Sequence, residues 1–252
     1  ARIAWLGVEL QEMTPELALA KKASAFLAAG SRYDSAKAAL VTFVYPASPA
    51  DKLGLREGDV LLRFYRKGSD APILLGLDDD GGAFSEGFPW EELDSLSPEM
   101  SDRIPAPWPV VNDSVSQLLT GIGIGQTAVC EFARDGRLIR KDFAVEQSPT
   151  YYANAPRVEL KALGLTVCNP TFEVLRFLNR KPGDPGLIVT RIVPGSPAAI
   201  AGIKPYELVT HFGDQPLTDS AQLKQLSEGK KDIRLTVRRM HRERIVRVLL
   251  PH

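Results

Sequence analysis

The sequence predicts a mainly β, α+β chain made of two small, partly open β-barrels, each carrying two helices. Three observations carry that expectation. The phrase YPASPADKLGLREGDVL from Tyr45 returns as VPGSPAAIAGIKPYELV from Val193. Within it Pro46, Ser48, Pro49, Ala50 and Gly54 match Pro194, Ser196, Pro197, Ala198 and Gly202 in register. Period-two apolar runs and short capped helices recur around both copies in the same order, as they would if one unit were built twice.

Each unit opens on a glycine turn that leads into a strand. Leu6, Val8 and Leu10 alternate with Gly7 and Glu9, as Leu163, Leu165 and Val167 alternate with Gly164 and Thr166. One apolar face at period two describes a half-buried strand. A helix follows, begun by Thr14, Pro15 and Glu16 or by Asn169, Pro170 and Thr171, with proline at the favoured first helical position. Leu17, Ala20 and Leu27, and later Phe172, Leu175 and Leu178, recur at helical spacing. The β-branched runs ALVTFVY and GLIVTRIV read as strands. The shared Ser-Pro phrase then gives a helical turn ended by Gly54 or Gly202, with DVLLRF or ELVTHF as the next strand. Asp113 or Asp219 caps a second helix. A hairpin closes each unit, TAVCEFA with LIRKDFAV across Asp135-Gly136, and IRLTVRR with RIVRVLL.

These matches place the first unit at 1–147, a linker SPTYYANAPRV at 148–158 and the second unit at 159–252. The first copy holds a surplus between Leu62 and Val111, a long insert over 65–110 rich in acid, Gly, Pro and Ser. That composition predicts a long surface loop.

Composition narrows the partners. With 252 residues, 44% hydrophobic and 25% charged, the chain has material for two cores. Its 31 basic and 31 acidic residues leave no net field to hold a polyanion, which argues against nucleic acid. No apolar run approaches the roughly 18 residues of a membrane span. The start ARIAWLGVEL lacks the order of a signal peptide and reads as cut from something longer. Cys130 and Cys168 lie in apolar, strand-like stretches and are expected as buried free thiols; the sequence leaves a disulfide between them open.

Catalytic and metal chemistry find little support. His211, His241 and His252 have no convincing partners, and the serines of PASPA and PGSPA sit in the repeated turn, where capping is the expected task. Asp78, Asp79 and Asp80 precede two glycines, but a calcium loop in that frame would need a glutamate where Pro89 stands. No catalytic residue, metal or cofactor is expected. Every charged residue from Gly68 to Asp102 is acidic, whereas the last strands carry Arg234, Arg238, Arg239, Arg242, Arg244 and Arg247. These opposite signs are either solvated faces or a docking device.

The motif set, found twice, resembles a PDZ domain of the circularly permuted kind that follows the protease domain in bacterial HtrA/Deg-type serine proteases. WLGV and ALGL stand at the carboxylate-binding loop, and the shared phrase and the D-S helix follow in the family's order. The resemblance implies strand addition of an extended peptide, its C-terminal carboxylate held by loop N–H groups. The implied first groove is Trp5, Leu6, Gly7, Val8 and Leu10 facing Val115, Leu118 and Leu119. The second is Ala162, Leu163, Gly164, Leu165 and Val167 facing Leu223 and Leu226. The second copy departs from the pattern with Tyr206 and Glu207 in place of Gly58 and Asp59, and with Met240 and His241 in place of Asp135 and Gly136. Expected partners are peptide or protein C-termini, with a protease domain in cis and oligomerisation left open, in the periplasm or cell envelope. The rival reading is an assembly module whose repeats dock subunits and whose insert covers the first groove.

Overall fold

A computed structural model describes residues 2–27, 38–75, 88, 90–95, 100 and 104–250. The Asp78 to Asp80 run, Pro89 and His252 lie outside them. The chain divides into two compact units, Ala1–Ala83 with Val110–Pro149, and Phe84–Pro109 with Thr150–His252.

The first unit contains β1 (Ala4–Trp5), β2 (Val8–Glu12), α1 (Pro15–Ala20), β3 (Ala39–Val44), α2 (Pro49–Leu53), β4 (Val60–Arg66) and β5 (Ile73–Leu74). After α3 (Glu92–Ser95), which belongs to the other unit, it continues with α4 (Ser114–Ile122), β6 (Thr127–Arg134), β7 (Arg137–Ala144) and β8 (Glu146–Gln147). Its main sheet runs β2-β3-β4-β6-β7, with β5 on β4, while β1 pairs β8 separately. Leu6, Val41, Leu61, Phe64, Leu119 and Phe132 fill the core between sheet and helices. Thr14 caps α1 by accepting the Leu17 N–H at 3.2 Å. The helix ends at Ala20, before Lys22 takes φ +53°, so Leu27 lies beyond it, half-buried against the smaller core of Met13, Ala18 and Leu62. The hairpin turn has positive φ at both Asp135 and Gly136, the conformation an Asp-Gly pair favours.

The second unit contains β9 (Val158–Leu160), β10 (Leu165–Cys168), α5 (Phe172–Phe177), β11 (Leu187–Ile192), α6 (Pro197–Ile200) and β12 (Leu208–Phe212). It ends with β13 (Gln215–Pro216), α7 (Ser220–Ser227), β14 (Asp232–Arg239) and β15 (Arg242–Leu249). The sheet order is β15-β14-β12-β11-β10-β9, with β13 on β12. Thr171, not Asn169, is the N-cap of α5, and Pro170 therefore precedes the helix. Asn169 is drawn away because its Oδ1 accepts the Ser220 N–H at 2.8 Å, tying down the start of α7.

An acid near the end of the shared phrase locks each copy. Asp59 accepts the Arg56 N–H at 2.8 Å and pairs with Arg134, which also donates to the Gly54 carbonyl at 2.7 Å. Glu207 accepts the Lys204 N–H at 3.0 Å and pairs with Arg239 and Arg244, and Arg244 donates to the Gly202 carbonyl at 2.8 Å. Part of the basic character of the last strands is thus engaged inside the second unit.

The insert is divided between the units: Ile73–Leu74 pairs with β4 in the first, whereas Phe84–Pro109 groups with the second. Its Trp108 is buried with Ala155, Val174, Tyr206 and Leu208, and Phe88 and Trp90 pack on the same cluster. Tyr206 stands at φ +65° where the first copy has Gly58. Its ring meets Trp108 at 5.5 Å and Phe88 at 5.7 Å, and its hydroxyl donates to the Ile104 carbonyl at 2.5 Å. Aromatic burial overrides an acidic, loop-like composition here.

Candidate functional site

In both units the opening glycine is held by the serine of the repeated phrase. Gly7 has φ +82°, and a Cβ on it would lie 2.2 Å from Ser48 Cβ. Its carbonyl accepts the Tyr45 N–H at 2.9 Å and the Ser48 hydroxyl at 3.3 Å, while Leu6 O accepts the Ala50 N–H at 2.9 Å. Ser48 also caps α2 by accepting the Asp51 N–H at 3.2 Å. The second unit repeats the joint. Gly164 has φ +66°, its Cβ would lie 2.2 Å from Ser196 Cβ, and its carbonyl accepts the Val193 N–H at 2.9 Å. Leu163 O accepts the Ala198 N–H at 3.0 Å, and Ser196 caps α6 through the Ala199 N–H at 3.2 Å. The phrase is therefore a buttress that fixes the loop, and only glycine fits the position it presses on.

Beyond that joint the units differ. In the first, β2 is the last strand of its sheet, and among the described residues no strand pairs with its outer edge. No described acceptor meets the Leu6 and Gly7 N–H groups. α4 is capped by Asp113, whose Oδ1 accepts the Ser116 N–H at 2.7 Å. Burial raises the Asp113 carboxyl pKa, an effect opposed by its hydrogen bonds to Ser116. Thr120 accepts the Ala4 N–H at 2.8 Å and so holds α4 against β1.

The expected first-groove residues sort into two layers. Leu6, Val115 and Leu119 are core side chains, whereas Val8, Leu10 and Leu118 are half-buried against that core. Trp5 is buried in β1, its ring 6.0 Å from that of Tyr45.

The second unit has no bare edge at the equivalent strand. β9 pairs antiparallel along β10, Leu160 opposite Leu165, Glu159 opposite Thr166 and Val158 opposite Val167. The Leu163 and Gly164 N–H groups both donate to the Leu160 carbonyl, at 3.1 and 3.0 Å. Leu165 and Val167 are consequently 1% and 0% exposed, unlike their half-buried counterparts Val8 and Leu10. Leu163 and Leu223 are also core, Leu226 is half-buried against it, and Ala162 is exposed. Val158 thus belongs to a strand and not to a linker. The residues that sequence reasoning missed are Val158 and Leu160, whose one legible sign was their alternation around Glu159.

Other candidate chemistry is sparse. His211 Nδ1 lies 3.1 Å from the hydroxyl of its neighbour Thr210. Cys130 and Cys168 are buried free thiols, and burial pushes the Cys168 thiol up to about 11. Among the described residues no His, Cys, Asp and Glu cluster is placed to hold a metal, and no helix is long and apolar enough to cross a membrane.

No family model matches the chain. It is 26% identical over 227 residues to a "Probable periplasmic serine endoprotease DegP-like" of Chlamydia trachomatis, covering 90% of this chain and 35% of that protein. A protein of the same name from Pseudomonas savastanoi pv. phaseolicola is 26% identical over 225 residues, covering 89% and 37%. The chain therefore spans little more than a third of these relatives' length. Among solved structures, the HtrA3 PDZ domain bound to a phage-derived ligand is 21% identical with a TM-score of 0.31, covering 38% of this chain and 86% of that one. The chain thus carries one glycine loop and Ser-Pro buttress twice, and it is similar along most of its length to about a third of the length of DegP-like serine endoproteases.

Proposed function

We propose that this chain is the peptide-recognition region of an HtrA-like serine protease of the periplasm, and that its first unit adds an extended peptide with a free C-terminus as a new strand along β2. One observation carries the reading: β2 offers an outer edge without a described partner, beside half-buried Val8, Leu10 and Leu118 and below loop N–H groups without a described acceptor. An edge of that kind supplies main-chain hydrogen bonds, the apolar floor takes the last side chain, and the N–H groups take the carboxylate. Isolated capture of this type is expected at micromolar strength, about −8 kcal/mol.

The test is a fluorescence titration of the 252-residue chain with a library of peptides ending in a free carboxylate. Saturable binding that Leu118→Lys weakens by about tenfold or more, roughly 1.4 kcal/mol, supports the reading. Binding that Leu118→Lys leaves unchanged, or silence across the library, contradicts it. Gly7→Asp is unsuitable here, because any Cβ at that position strikes Ser48. In the second unit β9 already occupies the edge of β10, so the capture is assigned to the first unit.

A further inference from the structure

We propose that Val158–Leu160 is a built-in ligand that keeps the second unit closed to peptides. The inference deepens the peptide-capture reading and rests on it. β9 runs antiparallel to β10 and is flanked by α7, the place and direction an added strand would take. Leu160 is the last residue of that strand, 5% exposed, in one core with Leu163, Leu165 and Leu223. Val158, two residues earlier, packs on the same core, and Glu159 between them is exposed. The Leu160 carbonyl receives the Leu163 and Gly164 N–H groups, standing where a terminal carboxylate oxygen would be received. In the first unit the matching groups, on Leu6 and Gly7, meet no described acceptor. One motif is therefore present twice, once satisfied by its own chain.

The segment that leads into β9 is clamped. Arg157 donates to Cys168 Sγ at 2.9 Å and to the Tyr152 carbonyl at 2.8 Å, and its guanidinium lies 4.3 Å over the Tyr152 ring. The Tyr152 N–H in turn donates to Glu173 Oε1 at 2.5 Å. A strand joined to its groove by so short a turn competes with any free peptide as an intramolecular ligand. Releasing the Arg157 clamp is the perturbation that shifts this competition while leaving the buried core side chains in place.

The test uses the full chain labelled for amide NMR, with the peptide ANAPRVEL, residues 153–160 with a free carboxylate, as probe. In the unaltered chain the probe should leave the amide signals of Leu163 to Val167 unmoved. In Arg157→Ala, and in Leu160→Asp if that variant folds, it should move them saturably, with apparent affinity at least about tenfold tighter than the unaltered chain. Equal movement in the unaltered chain overturns the proposal, as does no movement in a folded Arg157→Ala. Signals from Leu6 to Leu10 report on the first unit separately. Binding there without second-unit capture defeats this proposal alone, and second-unit capture without it defeats the reading of the first groove.

Discussion

Gly7→Ala tests whether the repeated phrase is a buttress. The new Cβ would lie 2.2 Å from Ser48 Cβ and 2.7 Å from its hydroxyl oxygen, where packed carbons sit about 3.5–4.0 Å apart. Pushing the two apart costs about 1–3 kcal/mol. Holding alanine at the left-handed φ of +82° adds about 1–2 kcal/mol. The single substitution should therefore cost the first unit about 2–5 kcal/mol, a large part of an ordinary domain's stability. Ser48→Gly alone loses the cap on α2 and the bond to Gly7 O, about 1–2 kcal/mol. Combined with Gly7→Ala, however, it removes the struck carbon, so the pair should be less destabilised than the sum by about 1–3 kcal/mol. Ser48→Ala keeps that carbon and should give no such relief. Urea unfolding followed through the methyl signals of Val41, Leu61 and Leu119 reads the first unit alone. Additive costs, or equal relief from Ser48→Ala, would refute the buttress.

Two further outcomes follow from buried groups. Burial raises the Glu173 pKa above the usual 4.5, against the opposing hydrogen bond from Tyr152. The folded state then holds its proton more tightly than the unfolded state, so this group's contribution to stability is greatest below pH 4.5 and falls as pH rises through the folded value. Glu173→Gln should flatten that slope in second-unit unfolding; Asp232, pulled down by Arg247, contributes with the opposite sign and is untouched by the variant. Both cysteines should resist alkylation at pH 8 in the folded chain and react on unfolding, since burial raises each thiol. Rapid native modification at either site would contradict the burial.

Much of this architecture is legible in the sequence. The alternation of Val8 and Leu10, the Ser-Pro phrase and the Asp113 and Asp219 caps appear as a strand, a capped turn and two helix starts, with Leu6 in the turn before the strand. Two features are hidden for physical reasons. The grouping of Phe84–Pro109 with the second unit depends on where Trp108 is buried, which local composition does not encode; Tyr206 in a position shaped for glycine was its trace. β9 is three residues long, too short for periodicity to separate from a linker. The groove residues mislead in one respect, because alternation marks a strand face without saying whether another strand covers it. Leu165 and Val8 are equivalent in sequence and differ in exposure for that reason.

The two loops share one construction and differ in occupancy. Amide hydrogen exchange of the ligand-free chain measures this directly, residue by residue. Slow exchange is expected at Leu163 and Gly164, whose N–H groups are engaged by Leu160, and exchange faster by orders of magnitude at Leu6 and Gly7. Comparable protection at both pairs, or fast exchange at Leu163 and Gly164, would contradict it.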